Sequence, residues 1–190
     1  MAFFNLAEVL DIIIIAIALG FIFMIFIKRP QVVKNWMDRY KKKKFEWKDL
    51  LYAAMIVAPA VILHEFGHKF VAMGFGLQAT FEAAYIWLGL GIILRLVNFG
   101  FIFFVPAYVS IQGVATPGQY ALTAFAGPAV NAILWVVSLL IVKKVKDMKP
   151  NTRYAWLLSA RINMFLFIFN MLPIPGFDGW HVYSNLIKAF

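Results

Sequence analysis

The sequence predicts an all-α polytopic membrane protein of about four transmembrane helices, a fifth being the alternative. A re-entrant or strand-containing insert is expected between the second and third spans. Three observations predict this. Of 190 residues, 63% are hydrophobic and only 14% charged, whereas a soluble domain carries about 25% charged residues and about half apolar ones. Uncharged runs long enough for a hydrocarbon core of about 30 Å recur along the chain. The Lys and Arg residues cluster beside those runs: nine lie between Lys28 and Lys48, and five between Lys143 and Arg153. Such clusters mark cytoplasmic loops. The net charge of +9 therefore reads as topology. Even the Lys41-Lys42-Lys43-Lys44 run is expected to be a solvated basic loop at the lipid surface, not a nucleic-acid site. Cysteine is absent, which excludes disulfides, thiolate metal sites and cysteine nucleophiles.

The first span is expected from about Val9 to Ile27. Glu8 and Asp11 precede or open it, and Lys28 and Arg29 follow. A cleaved signal peptide would carry its positive charge before the run, so this span is expected to be retained with its N-terminus outside. A basic cytoplasmic loop covers residues 30–49. The second span runs from about Leu50 to Met73, the third from Tyr120 to Val142, and the fourth from Tyr154 to about Leu172 with only Arg161 charged. The segment Ile86 to Val109 is apolar but holds Gly89, Gly91, Gly100 and Pro106. A full crossing there would put the two basic loops on opposite sides. A segment buried against protein, with its backbone groups satisfied, is preferred. The whole chain reads as one membrane-embedded domain, with residues 1–29 as a peripheral span and residues 50–179 as the core.

A charge in hydrocarbon is costly, so ionisable residues inside spans are functional candidates. The second span holds His64-Glu65-Phe66-Gly67-His68. Residues four apart on a helix share a face, so both imidazoles can bind one Zn²⁺. Glu65, beside the first of them, is placed to take a proton from water at the metal. Two core histidines bonded across helices would instead leave Glu65 as an unpaired buried carboxylate, which is expensive. Zinc needs a third protein ligand, and Glu82, Asp178 and His181 are the pool. Depth discriminates among them. With a rise of about 1.5 Å per residue, His64 lies roughly 21 Å into the second span and Asn170 roughly 24 Å into the parallel fourth. Pro173 and Pro175 end that span, and the loop after them can hold Asp178 at the same level. Gly179 is expected to allow a tight turn behind it.

Three blocks together resemble the site-2 protease family of intramembrane zinc metalloproteases. Leu63-His64-Glu65-Phe66-Gly67-His68-Lys69 resembles the zinc helix of that family. Ala126-Gly127-Pro128-Ala129-Val130-Asn131 resembles its Gly-Pro-x-x-Asn block. Asn170-Met171-Leu172-Pro173-Ile174-Pro175-Gly176-Phe177-Asp178-Gly179 resembles its Asn-Pro-Asp-Gly block. The resemblance implies that Asp178 is the third ligand. It implies a Zn²⁺ cofactor, transmembrane protein substrates, and a multi-pass place in the cell membrane. Peptide bonds in or near transmembrane segments would be cut with Glu65 as general base. Asn131 and Asn170 would bind substrate or the developing oxyanion, or bond between helices. Gly127 and Pro128 would serve helix packing. Residues 77–118 would form an insert whose exposed backbone pairs with an extended substrate. Neither a PDZ nor a CBS module is expected. Two other classes stand beside this one: a metal transporter using the same ligands as a transit site, and a catalytically silent scaffold.

Overall fold

A computed structural model describes residues 4–30, 45–99 and 105–190. Most of the expected basic loop, including Lys41 to Lys44, and residues 100–104 of the insert lie outside the described residues. The order is α1 (Leu6–Phe23), α2 (Trp47–Gly74), β1 (Gln78–Ala83), α3 (Tyr85–Leu96), β2 (Ala107–Gln112), α4 (Pro117–Lys144), α5 (Pro150–Asn170) and α6 (Asp178–Ala189).

Local chemistry accounts for the helix starts. Asn5 and Glu8 form a reciprocal capping box at the head of α1, and Thr116 and Gln119 do the same for α4, with Pro117 in its first turn. Each box satisfies amides that a helix start leaves without partners. Along α1, Ile15, Leu19 and Ile22 are buried while Leu10, Ile13, Ile14 and Ile17 are exposed, the two faces of one helical repeat. The buried face packs on α2 around Leu50, Ala53, Ile56 and Val57, and Phe81 of β1 and Leu88 of α3 complete that core. At Gly20 a Cβ would lie 2.8 Å from the Leu50 carbonyl oxygen, so the α1–α2 crossing is set by a missing side chain.

Polar side chains share the interior with that apolar core, and large aliphatic side chains cover much of the outside. Asn131, Asn163, Ser138 and Lys69 are almost wholly buried, while Leu122, Ile133, Val136 and Leu140 of α4 are exposed. Water would penalise so much exposed apolar surface, whereas lipid would not. By length and composition α1, α2 and α4 can cross a membrane. The fourth expected span, α5, has 21 residues, but Arg153, Arg161, Asn163 and Asn170 dilute its apolar character. Among the described residues three helices combine length with apolarity, and α5 is not one of them.

Between α2 and α4 stand two antiparallel strands with α3 between them. Phe81 faces Val109, and Ala83 faces Ala107. Helix α3 has 12 residues, short of the ~20 that a crossing requires. It ends where Asn98 takes a φ of 52°, a left-handed stop that asparagine tolerates.

Candidate metal centre

His64 and His68 project from one face of α2, and Asp178 is the first residue of α6. His64 Nε2 and His68 Nε2 lie 3.1 Å apart. Asp178 Oδ2 is 3.1 Å from His64 Nε2, and Asp178 Oδ1 is 3.4 Å from His68 Nε2. One ligand atom from each residue falls within 4.8 Å of the others. The start of α6 suits a carboxylate, because a helix N-terminus carries partial positive charge.

The far side of each imidazole fixes its tautomer. Asn131 Nδ2 donates to the Ala60 carbonyl and to Asn163 Oδ1, both at 2.9 Å. Its Oδ1 is thereby the acceptor for His64 Nδ1–H at 2.6 Å. His68 Nδ1–H donates to the Thr123 carbonyl at 2.7 Å. Both Nε2 atoms are then left with lone pairs, aimed at one another and at a carboxylate. Three electron-rich groups at this separation repel unless a cation joins them. A proton can join two; a metal ion joins all three. Two neutral imidazoles and one carboxylate form a donor set that Zn²⁺ accepts, with a fourth position left for water or substrate.

The neighbouring backbone is shaped to leave that space. At Gly127 on α4, a Cβ would lie 2.3 Å from His68 Nε2 and 2.7 Å from His64 Nε2. Any side chain there would occupy the ligands' meeting point. The expectation that Gly127 serves helix packing alone is thus too narrow. Packing falls to Gly67, whose added Cβ would lie 2.7 Å from the Ala126 carbonyl oxygen. Pro128 has no N–H to donate to the carbonyl four residues back. Gly179 also differs from expectation. It sits inside α6 without a positive φ, and its Cβ would come within 2.5 Å of the Met171 carbonyl oxygen. It is needed for close approach, and the left-handed turn belongs to Gly176, at φ 96°.

A cavity of about 450 Å³ opens beside the three ligands, lined by Glu65, Asn170, His181 and the strand β2 among others. Glu65 and Asn170 therefore stand where a substrate could meet them. Asn131 does not. Its side chain is fully buried, and both amide hydrogens are spent on Ala60 and Asn163, so it has none to offer an oxyanion. It holds His64 instead. Of the other ligand candidates, Glu82 accepts from the Tyr108 hydroxyl at 2.8 Å and is outside the cluster. His181 lines the cavity one helical turn beyond Asp178 without joining the cluster. Sequence reasoning did not single out Asn163, which completes the support: its Nδ2 donates to the Ser159 carbonyl at 2.8 Å. A polar residue at a buried position of the fourth span was the available signal.

Comparison with known proteins agrees with this chemistry. A Methanocaldococcus jannaschii protein provisionally named zinc metalloprotease MJ0611 is 33% identical over 179 residues, covering 93% of this chain and 83% of that protein. Rip2 of Mycolicibacterium smegmatis, a provisionally named zinc metalloprotease, is 30% identical over 135 residues, covering 64% of this chain and 51% of that protein. Bacillus subtilis YwhC, named in the same way, is 28% identical over 167 residues, covering 80% and 75%. No family model matches the chain, and no solved structure matches it. With an Nε2–Nε2–carboxylate cluster beside a glutamate-lined cavity, and a relative of this identity aligned over most of both lengths, the chain belongs to the same family of zinc metalloproteases as MJ0611.

Proposed function

We propose that this protein is a multi-pass intramembrane zinc metalloprotease of the site-2 protease type, resident in the cell membrane. It hydrolyses peptide bonds within or near transmembrane segments of membrane-protein substrates. The observation that carries the reading is the convergence of His64 Nε2, His68 Nε2 and Asp178 next to Glu65, inside a molecule whose outer surface is apolar. His64, His68 and Asp178 would hold the zinc.

The bound ion would polarise the scissile carbonyl and make water acidic enough to attack near neutral pH. The chain's own residues do the rest. Glu65 takes the proton from the attacking water on its carboxylate, then passes it to the departing amide nitrogen. Asn131 and Thr123 keep the two imidazoles in the tautomer that leaves Nε2 free. Asn170, on the cavity wall, donates its amide hydrogens to a substrate carbonyl or to the oxygen that gains charge. Ala107, Val109 and Ile111 of β2 line the same cavity. An unwound substrate segment lies along them as an added strand, which presents its peptide bonds in extended form to Glu65.

The test uses purified protein with a single-span substrate in proteoliposomes. Wild type should cleave it, and Glu65→Gln should keep its zinc while losing roughly 10²–10⁴-fold in rate. Equal cleavage by both forms would remove Glu65 from the mechanism. Metal flux across the liposome without proteolysis would favour a transporter.

A further inference from the structure

A second buried ionic group lies outside the metal centre. Glu8 of α1 and Lys69 of α2 are 3% and 2% exposed and form an ion pair. Glu8 Oε1 accepts from Lys69 Nζ and also from the backbone amide of Phe81, at 2.7 Å. One helical turn on, Asp11 Oδ2 accepts from the amide of Ala83 at 3.0 Å, and its other oxygen accepts from the Tyr85 hydroxyl. Phe4 covers the pair, its ring centroid 4.7 Å from Lys69 Nζ. Phe66 packs between Phe4 and Phe81 at centroid distances of 5.2 and 5.6 Å.

The two amides concerned have a defined direction. Alternate residues of a strand send their N–H groups to the same edge, so Phe81 and Ala83 point away from β2 and toward α1. A sheet edge without a partner is a liability, and in lipid its cost grows. Two carboxylates one helical turn apart meet two amides one strand repeat apart and close that edge. The residues facing Phe81 and Ala83 across the ladder are Val109 and Ala107. By the same alternation these turn their own N–H and C=O groups to the opposite edge, and both residues line the metal cavity. Among the described residues the sheet has two strands, so two amides of one edge are held by α1, and the other edge belongs to residues that line the same cavity as His64 and His68. Lys69 follows His68 directly in the chain, which ties the seal to the helix that carries the ligands.

We propose that Glu8 and Asp11, with Lys69, form a positioning clamp that fixes the β1–β2 sheet and so holds the Ala107–Val109 edge at a set distance from the metal centre. The clamp acts through the sheet; none of its three residues lines the cavity. Its effect on substrate rests on the protease reading above, but the clamp itself does not.

The test is hydrogen–deuterium exchange on the full chain in detergent, with zinc content measured on the same samples. The variants are Asp11→Asn, Glu8→Gln and Lys69→Met. Exchange of residues 78–83 and 107–112 should rise about tenfold as local opening becomes easier. Exchange in α2 and α4 and zinc content should stay at wild-type values. With a single-span substrate, KM should rise about fivefold or more while kcat stays near wild type, because docking and not chemistry is loosened. Unchanged strand exchange in Asp11→Asn and Glu8→Gln overturns the clamp, and so does equal loosening of α2 and α4. Asp11 is only half-buried, so Asp11→Asn decides the matter if Glu8→Gln does not fold. Looser strands in a protein whose wild type cleaves nothing would uphold the clamp and sink the protease reading. Wild-type cleavage with unaltered strands and unaltered KM would do the reverse.

Discussion

Gly127 shows how much can depend on an absent side chain. Its Cβ would stand 2.3 Å from His68 Nε2, inside the space an ion needs. Gly127→Ala should therefore lose bound zinc at least tenfold while circular dichroism shows unchanged helix content. Metal analysis of the two proteins side by side checks this. Asn131→Ala removes the acceptor from His64 Nδ1, which frees the ring to turn and to change tautomer. Zinc affinity should fall about 10–100-fold, read by competition with a chromophoric chelator. Asn163→Ala should fall in the same direction by less, because it acts through Asn131. At this scale the sequence was partly legible. The i, i+4 spacing marked His64 and His68, and depth along two parallel spans marked Asp178. The hydrogen-bond duties of Asn131 were not legible, since an asparagine near a metal motif can face substrate or ligand with equal chemical sense. Only the rotation of α4 about its axis decides between them.

At the scale of elements, α2 and α4 meet through Gly67, whose Cβ would come within 2.7 Å of the Ala126 carbonyl oxygen. Gly67→Leu should force the helices apart and destabilise the protein by about 1–3 kcal/mol. A lower thermal midpoint in the same detergent would register it, and an unchanged midpoint would show that the crossing adapts. Hydropathy and charge located α1, α2, α4 and α5 within a few residues, because each is a long apolar run with a basic cluster at one end. Helix α6 was less legible. Its start, Gly176-Phe177-Asp178-Gly179, has the composition of a turn, and Gly179 is tolerated within the helix because only a residue without a Cβ can pass Met171 so closely. That reason lies in a neighbouring segment and leaves no local trace. The strands β1 and β2 were equally hard to locate, since each has only six residues and so short a run gives little periodicity to tell strand from helix or loop.

At the scale of the whole molecule, the metal cluster joins α2 to α6 across three intervening helices and a sheet. An ion that binds only the folded form stabilises it by mass action, by about 2.7 kcal/mol when free ion exceeds its dissociation constant a hundredfold. Stripping zinc with a membrane-permeant chelator should lower the thermal midpoint, and restoring zinc should recover it. The Glu65→Gln protein should show the same shift, since Glu65 is outside the ligand cluster. A midpoint indifferent to chelation would argue that the three ligands do not grip an ion. An outer surface rich in exposed aliphatics was legible at once from composition. Which polar side chains meet in the interior was not, because composition carries no information on helix rotation.

The separation of the ligands along the chain also has a temporal side. His64 and His68 leave the ribosome together, but Asp178 follows only after more than a hundred further residues. At translation speeds of about 5–20 residues per second, the nascent chain spends on the order of ten seconds with two ligands and no third. On the proposed reading, a site that needs Asp178 as its third ligand stays silent until residue 178 has been made.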